Sequence, residues 1–409
     1  MNKPSNSQLD KTRAGNQQDP AKHRYLYPRN KYFNRKILSG EKLDLYLNDF
    51  EKNCSPNRKL NGNKKWNNYF QPLLKMCDIL PEDKVKGVFG PHMYAEFHGN
   101  FQSRDGRQSV EKTITLFGEF HTLEDYEAYG SKIENLDFNG VIPFHSYVKM
   151  LLLSHPNKIY DLYTERPFIN DKWYKEKMCY LNFSMSLIDQ QFENCFQLDK
   201  SRCEYKNLRA HYTDIRRYND TKERLNSFFV GVENKLTEVK TKDKLINFWA
   251  QIYNIFWSGI VMHFFNSQLV DNDNADVIKE FITKKLEKIV KEEKFYSLRK
   301  IEKKIEKNPG NVLTDDLKFS ITVLLMDIYI LARLTKNKNF NTQQNIIIYA
   351  GGLHIELYIK FLKYIGFTLG KNYNIKGCES QDHCPPIVYF DRKFDHREYI
   401  FLTRPSWFY

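Results

Sequence analysis

The chain has 409 residues, of which 41% are hydrophobic, 28% charged and 15% aromatic. This composition supplies a large apolar core, and it excludes a fully disordered, collagenous or disulfide-scaffold protein. Lys and Arg number 63 against 50 Asp and Glu, for a net charge of +13. The charge favours an anionic partner such as nucleic acid, a phosphorylated molecule or anionic lipid. An AT-rich genome would produce the same bias towards lysine.

Residues 1–40 are poor in large apolar side chains, which predicts a flexible, mildly basic arm without a secretory signal. The cysteines are scattered and odd in number, which indicates reduced thiols in a cytoplasmic protein. They are Cys54, Cys77, Cys179, Cys195, Cys203, Cys378 and Cys384.

Residues 41–105 mix helix signals with Gly and Pro breaks, which predicts a mostly helical N-terminal extension. Residues 106–220 repeat a pattern of short apolar strand, polar turn and helix. The predicted strands are residues 113–117, 158–165 and 207–216, with a helix at residues 144–156. Strands that alternate with helices favour a mostly parallel α/β sheet flanked by helices.

Residues 221–340 predict a large helical insertion. Within it, residues 245–265 lack a permanently ionised side chain and are long enough to span a bilayer. Neutral polar residues recur along one helical stripe, which favours a buried helix with that face against polar partners over a membrane span. The stripe consists of Asn247, Gln251, Asn254 and Ser258. Residues 319–334 predict another core helix, interrupted by Asp327.

The charged segment at residues 279–307 has Glu and Lys at helical spacing, which is typical of a solvated helix face. A phosphate-binding role is the alternative for this segment. Residues 341–409 predict the C-terminal part of the α/β core. It begins with a strand at residues 345–350 and a helix, and it ends in strands at residues 386–391 and 397–403.

Polar residues stand at the ends of the four main predicted strands. Parallel, adjacent strands would bring these ends together at one edge of the sheet. Imidazole and carboxylate groups there could hold a divalent metal or perform acid–base catalysis. The candidates are Glu119 and His121 after the first strand, Glu165 after the second, Arg209, His211, Asp214 and Arg216 on the third, and His354 after the fourth. Glycines before the histidines, Gly118, Gly351 and Gly352, would let the backbone turn and a ligand approach.

The motifs GEFH at residues 118–121 and GGLH at residues 351–354 resemble the paired GxxH motifs of the TIKI/TraB superfamily. That superfamily includes erythromycin-esterase-like proteins, ChaN-like haem-uptake proteins and a domain of a Pasteurella toxin. The strand ending in Glu165 is similar to its second strand, and the resemblance covers roughly residues 110–365. The overall residue usage also resembles that of proteins of large DNA viruses, which would place the protein in a host cytoplasm or a virion.

The resemblance implies a hydrolase of an ester or amide bond that depends on a divalent metal such as Mn, Co, Zn or Fe. His121 and His354 would be metal ligands, with His121 alternatively a general base. Glu119 and Glu165 would be ligands or proton carriers, and Arg209 or Arg216 would steady an oxyanion. The substrate would be a small molecule or a peptide.

Two alternatives belong to other functional classes. One is a non-catalytic protein that keeps the fold and binds a partner through its basic surface. The other is haem or metal binding without turnover. A further pattern, formed by Cys378, His383, Cys384 and His396, lacks the paired spacing that is usual in zinc sites.

Overall fold

The computed structural model describes eleven stretches of the chain. They are residues 80–102, 109–119, 139–166, 188, 191–196, 203–216, 219–269, 272–308, 312–336, 344–374 and 387–390. Several predicted features lie outside these residues. They are the N-terminal arm, His121, the Cys378–His383–Cys384 pattern with His396, and the strand at residues 397–403.

Within the described ranges, nine strands form two sheets. In chain order the strands are β1 (Gly87–Phe89), β2 (Met93–Gln102), β3 (Ser109–Glu119), β4 (Val141–Pro143), β5 (Tyr160–Thr164), β6 (Leu208–Tyr212), β7 (Asn345–Gly351), β8 (Thr368–Asn374) and β9 (Ile387–Tyr389). The larger sheet has the order β6-β5-β7-β3-β2-β8, and the smaller has the order β4-β1-β9. Strands β6, β5, β7 and β3 are parallel neighbours, while β2 and β8 add antiparallel strands at one edge. The predicted mostly parallel α/β architecture is therefore confirmed.

Residues 87–102 differ from the prediction, which placed them in a mostly helical extension. They form β1 and β2, and β2 pairs with β3 along its whole length. Alternate side chains Met93, Ala95 and Phe97 are buried in the core on one face of the sheet. This period of two is typical of a half-buried strand, and Gly and Pro on either side of it obscured the pattern.

Eight α-helices of the described part of the chain flank the sheets. They are α1 (Phe144–Ser154), α2 (Asn219–Leu236), α3 (Lys242–Ile255), α4 (Met262–Leu269), α5 (Ala275–Glu292), α6 (Leu298–Lys307), α7 (Asp315–Leu334) and α8 (Gly352–Tyr364). A π-helical stretch, Phe256–Val261, joins α3 to α4. Helices α2 to α7 fall within the predicted helical insertion.

Each face of the larger sheet has its own apolar core. Ile114 and Leu116 of β3 lie in a core with side chains of α2 to α8. On the opposite face, the Phe117 ring meets Phe144 of α1 with a centroid separation of 4.9 Å. The sheet is therefore the middle of three layers, as expected for parallel strands whose two faces are both covered.

The apolar segment at residues 245–265 packs as part of the helical layer. No helix in the described ranges is both long and apolar enough to cross a membrane. The predicted contact of its polar stripe with polar partners is wrong, because all four side chains are exposed to solvent. Solvent satisfies these neutral groups, while Phe248, Trp249 and Ile252 on the other face are buried.

Cys195 and Cys203 form a disulfide, so the prediction of reduced thiols is wrong for this pair. Both residues are buried in the same core as Leu208 of β6. Phe196 stacks on Tyr212 at a centroid distance of 4.5 Å, which joins the crosslinked segment to the end of β6. The disulfide therefore anchors the edge strand of the larger sheet.

Replacing Cys195 and Cys203 together with alanine should lower the free energy of unfolding by about 2–3 kcal/mol, the loop-closure value for so short a crosslinked segment. Urea unfolding at pH 7 without reductant measures the difference. Dithiothreitol is the control, since it should bring the wild type close to the double variant. Equal stability without reductant would contradict a crosslink between these residues.

Candidate active site at the carboxyl edge of the parallel strands

Three of the predicted site residues lie at one edge of the larger sheet. Glu119, the last residue of β3, pairs in parallel register with Gly351, the last residue of β7. Thr164 at the end of β5 pairs with Tyr349, so Glu165 follows at the same level. His354 lies in the first turn of α8, which starts directly after β7. Glu119 and His354 are 1% and 5% exposed.

His354 lies between two carboxylates. Its Nδ1 is 2.6 Å from Asp327 Oδ1 on α7, and its Nε2 is 3.2 Å from Glu165 Oε1. Asp327 is 2% exposed. It reaches the histidine because α7 packs beside α8 over the same face of the sheet. Thr314 caps the N-terminus of helix α7, since its side chain accepts a hydrogen bond from the Leu317 backbone N–H.

Arg216 brings the third predicted strand into the same cluster. Its Nη2 donates to Glu165 Oε1 at 2.9 Å, and its Nε donates to Asp214 Oδ1 at 2.7 Å. The turn that presents it is held by backbone bonds, since the Asp214 N–H donates to the Arg166 carbonyl at 3.0 Å. Burial works against the charge of Arg216, but Asp214 and Glu165 outweigh it and raise its pKa.

The second Glu165 oxygen binds the start of α8. The Gly351 N–H donates to Glu165 Oε2 at 2.8 Å. Glu165 thus accepts hydrogen bonds from an arginine and a helix N-terminus while its Oε1 faces His354. A carboxylate at a helix N-terminus is also favoured by the helix dipole.

The glycines of the two motifs allow close packing of the chain itself. A Cβ on Gly118 would lie 3.1 Å from the Met93 Cβ and 3.3 Å from the Gly352 Cα. A Cβ on Gly352 would lie 3.2 Å from His92 Nε2. The room beside Gly118 and Gly352 is therefore filled by Met93 and His92, where the sequence predicted the approach of a ligand.

Charge determines the protonation state of His354. Burial by itself lowers the histidine pKa, but the carboxylates of Asp327 and Glu165 outweigh it and raise the pKa to about 9. The metal-free site therefore holds an imidazolium between two carboxylates at neutral pH. Burial, followed by the nearby Asp327 charge, raises the pKa of Tyr358 well above its ordinary value, so this phenol stays neutral.

Arg209 and His211 belong to a different cluster. It lies along the paired strands β5 and β6, before their carboxyl ends. Arg209 is ion-paired with Asp161, and His211 Nε2 lies 3.0 Å from the other Asp161 oxygen. The His211 ring stacks on Tyr163 at a centroid distance of 4.6 Å. Lys112 is buried nearby, and burial lowers its pKa to about 8. The structure therefore divides the four candidates of the third strand between two sites.

Three residues of these clusters were not identified from the sequence. Asp327 was noted only as an interruption of an apolar helix, and Asp161 lies unremarked inside an apolar strand. A buried carboxylate needs a charged or hydrogen-bonding partner, so an acid within an apolar run was the available signal for both. His92, in the turn before β2, had no signal because only tertiary packing brings it to Gly352.

The described residues contain no group of three or more His, Cys, Asp or Glu side chains arranged to hold a metal ion. His354 and Glu165 supply two adjacent donors, with Glu119 at the same edge of the sheet. Both His354 nitrogens face carboxylates, so metal binding at Nε2 would displace a proton.

Comparison with known proteins gave no match at three levels. No family model matches the chain. No curated protein and no solved structure is significantly similar to it. The function of this protein is therefore inferred from the chemistry of its site.

Proposed function

We propose that this protein hydrolyses an ester or amide bond with the help of a divalent metal ion, at the carboxyl edge of β3, β5 and β7. The supporting observation is the pair formed by His354 Nε2 and Glu165 Oε1, which lie 3.2 Å apart. The other polar atom of each side chain is already bound, to Asp327 and to the Gly351 N–H. The pair is thus oriented by its surroundings.

The two adjacent donors are of types that transition metals take. Imidazole nitrogen and carboxylate oxygen suit Zn, Mn, Co and Fe. Two ligands that each lie about 2.1 Å from one ion are roughly 3–3.5 Å apart, close to the 3.2 Å between His354 and Glu165. Asp327 on the far side of the imidazole is the usual supporting partner of a metal-bound histidine. By the resemblance to the TIKI/TraB superfamily, Glu119 and His121 would complete the set.

A bound divalent ion would supply a water of lowered pKa and polarise the substrate carbonyl. The chain's own residues orient the groups around it. Asp327 fixes the His354 ring, and Arg216 holds Glu165 in place through Oε1. Because Arg216 is already bound to Asp214 and Glu165, the structure favours a positioning role for it over contact with an oxyanion. Glu119 would act as a ligand or proton carrier.

The substrate class and the cellular compartment are inferred from the sequence. The substrate would be a small molecule or a peptide, and the protein would act in the cytoplasm. Haem binding is less favoured, because both nitrogens of His354 face carboxylates in a tightly packed site. A non-catalytic binding protein is the remaining alternative, and it would need neither a metal nor a reactive His354.

Metal content separates these possibilities. We expect untagged wild-type protein to hold about one equivalent of a transition metal by mass spectrometry, and His354→Ala to lose most of it. His263→Ala is the matched control, because His263 is exposed on α4 and pairs only loosely with Asp220 at 3.3 Å. Hydrolysis of a panel of nitrophenyl esters and peptides should fall at least ~100-fold in His354→Ala and remain unchanged in His263→Ala.

Three results would change the assignment of this site. Hydrolysis that depends on His354 without bound metal would remove the metal from the proposal and leave the site as a histidine-dependent esterase. Full metal occupancy in His354→Ala would show that His354 is not a ligand. Absence of both metal and hydrolysis in the wild type would favour the non-catalytic alternative.

A further inference from the structure

Helix α6 carries four lysines on one face. They follow the spacing i, i+3, i+4 and i+7, which places them in one stripe along the helix. The stripe consists of Lys300, Lys303, Lys304 and Lys307, and it is called the lysine face below. At 1.5 Å per residue it is about 10 Å long.

Repulsion within the lysine face lowers the stability of the helix that carries it. Like charges three or four residues apart destabilise a helix, and this stripe contains four such neighbouring pairs. In the part of the chain that the structure describes, no lysine of the face forms an ion pair, whereas Lys284 and Lys318 elsewhere do. Partial loss of hydration, and then the nearby Lys294 and Lys303 charges, lower the pKa of Lys300.

A fifth lysine extends this face at an unfavourable backbone position. Lys294, in the turn before α6, has a φ of 65°, and it is the only residue other than glycine with a positive φ in the described ranges. Glycine or asparagine is favoured at such a position, because a side chain with a Cβ is strained there. Lys294 nevertheless occupies this position, and it places a further positive charge beside Lys300.

The rest of α6 faces elsewhere. Ile301 is buried against the core, and Glu302 and Glu306 lie on another side of the helix. Lys304 is half-buried, with its Nζ 4.3 Å from the centre of the Phe295 ring. Burial lowers the pKa of Lys304, although the carboxylates of Glu293 and Asp316 oppose the shift. Lys294, Lys300, Lys303 and Lys307 are exposed.

We infer that the lysine face, extended by Lys294, binds the phosphate backbone of double-stranded nucleic acid without sequence preference. A duplex carries one negative charge per about 1.7 Å of its axis, so a 10 Å stripe of ammonium groups meets several phosphates. This role is separate from hydrolysis at the carboxyl edge of the sheet.

Two features favour a duplex over other anions. The face lacks exposed apolar side chains, which a helix needs in order to insert into a lipid surface. The exposed residues of the face include no aromatic ring on which single-stranded bases could stack.

Fluorescence anisotropy with a labelled 24-base-pair DNA of arbitrary sequence tests this inference on the full chain. The test variant replaces Lys300, Lys303 and Lys307 with glutamine and keeps Lys304 on Phe295. The matched control replaces Lys235, Lys242 and Lys244, which are exposed lysines of α2 and α3. Both variants lose the same charge.

We expect the test variant to bind the duplex about tenfold more weakly or worse, and its salt slope to fall by about 2.7, which corresponds to three lost phosphate contacts. The control should bind nearly as the wild type does. The melting temperature of the test variant should equal or exceed the wild-type value, because like-charge repulsion is removed.

Four outcomes would overturn the inference. They are absence of wild-type binding at 50 mM salt, equal losses in both variants, preferential binding of polyglutamate, and preferential binding of phosphatidylserine vesicles that the test variant also loses. Equal losses would mean that net charge alone determines binding.

Discussion

Replacing Glu165 with alanine is expected to lower the free energy of unfolding by about 3–5 kcal/mol, the range for breaking a buried ion pair. The Glu165 side chain is 7% exposed and lies between the cations of Arg216 and His354. Removal of this carboxylate leaves Arg216 with Asp214 alone and His354 with Asp327 alone. It also removes the acceptor of the Gly351 N–H. Urea unfolding at pH 7 in the presence of a chelator measures the change.

A surface glutamate provides the control for this variant. Glu280 on α5 pairs with Lys284 one helical turn away, and both side chains are more than half exposed. Exposed pairs of this kind contribute little, so Glu280→Ala should leave the free energy of unfolding unchanged. If Glu165→Ala unfolded at the wild-type urea concentration, the buried contacts of Glu165 would have no net stabilising effect.

The second large effect is a decrease in stability between pH 6.5 and pH 9. Burial disfavours the charged His354, but Asp327 and Glu165 outweigh it and raise the pKa to about 9, against about 6.5 in an unfolded chain. The folded protein therefore holds the proton more tightly. This contribution is complete below pH 6.5 and is lost as the pH rises through 9. The shift corresponds to about 3 kcal/mol.

Urea unfolding in chelator at several pH values tests the sign. The difference in free energy of unfolding between wild type and His354→Gln should shrink as the pH rises from 6.5 to 9. Asp327→Asn removes the larger of the two stabilising charges, so the decrease should occur at lower pH in that variant. A difference between wild type and His354→Gln that stays constant over this range would mean that His354 is neutral in the folded protein.

Much of the architecture was predictable because it depends on local patterns. Short apolar strands followed by polar turns predicted β3, β5, β6 and β7, and their parallel arrangement is confirmed. β2 was missed because Gly and Pro on either side obscure its apolar alternation, and β8 because glycine and polar residues interrupt its own. Pairing with β3 and with each other compensates for their weak local signals.

The candidate site was predictable only in part. Glu119 ends β3, Glu165 follows β5 and His354 lies in the first turn after β7, so the common direction of parallel strands is enough to bring them to one edge. Arg209 and His211 were grouped with Asp214 and Arg216 because they are close in sequence. The register between β5 and β6 separates the two pairs. Arg209 and His211 lie beside Asp161 and Tyr163 on β5, whereas Asp214 and Arg216 lie beyond the end of β6.

The sequence by itself determined which residues end the parallel strands, because strand, turn and helix patterns are local. Only the tertiary structure decided the partners of those residues. Asp327 reaches His354 from a helix 27 positions earlier, and Arg216 reaches Glu165 across 51 positions. Such contacts depend on which faces of α7, α8 and β6 are buried together. A buried charge must also be paired, because its desolvation is costly, and this requirement is not visible in any local sequence pattern.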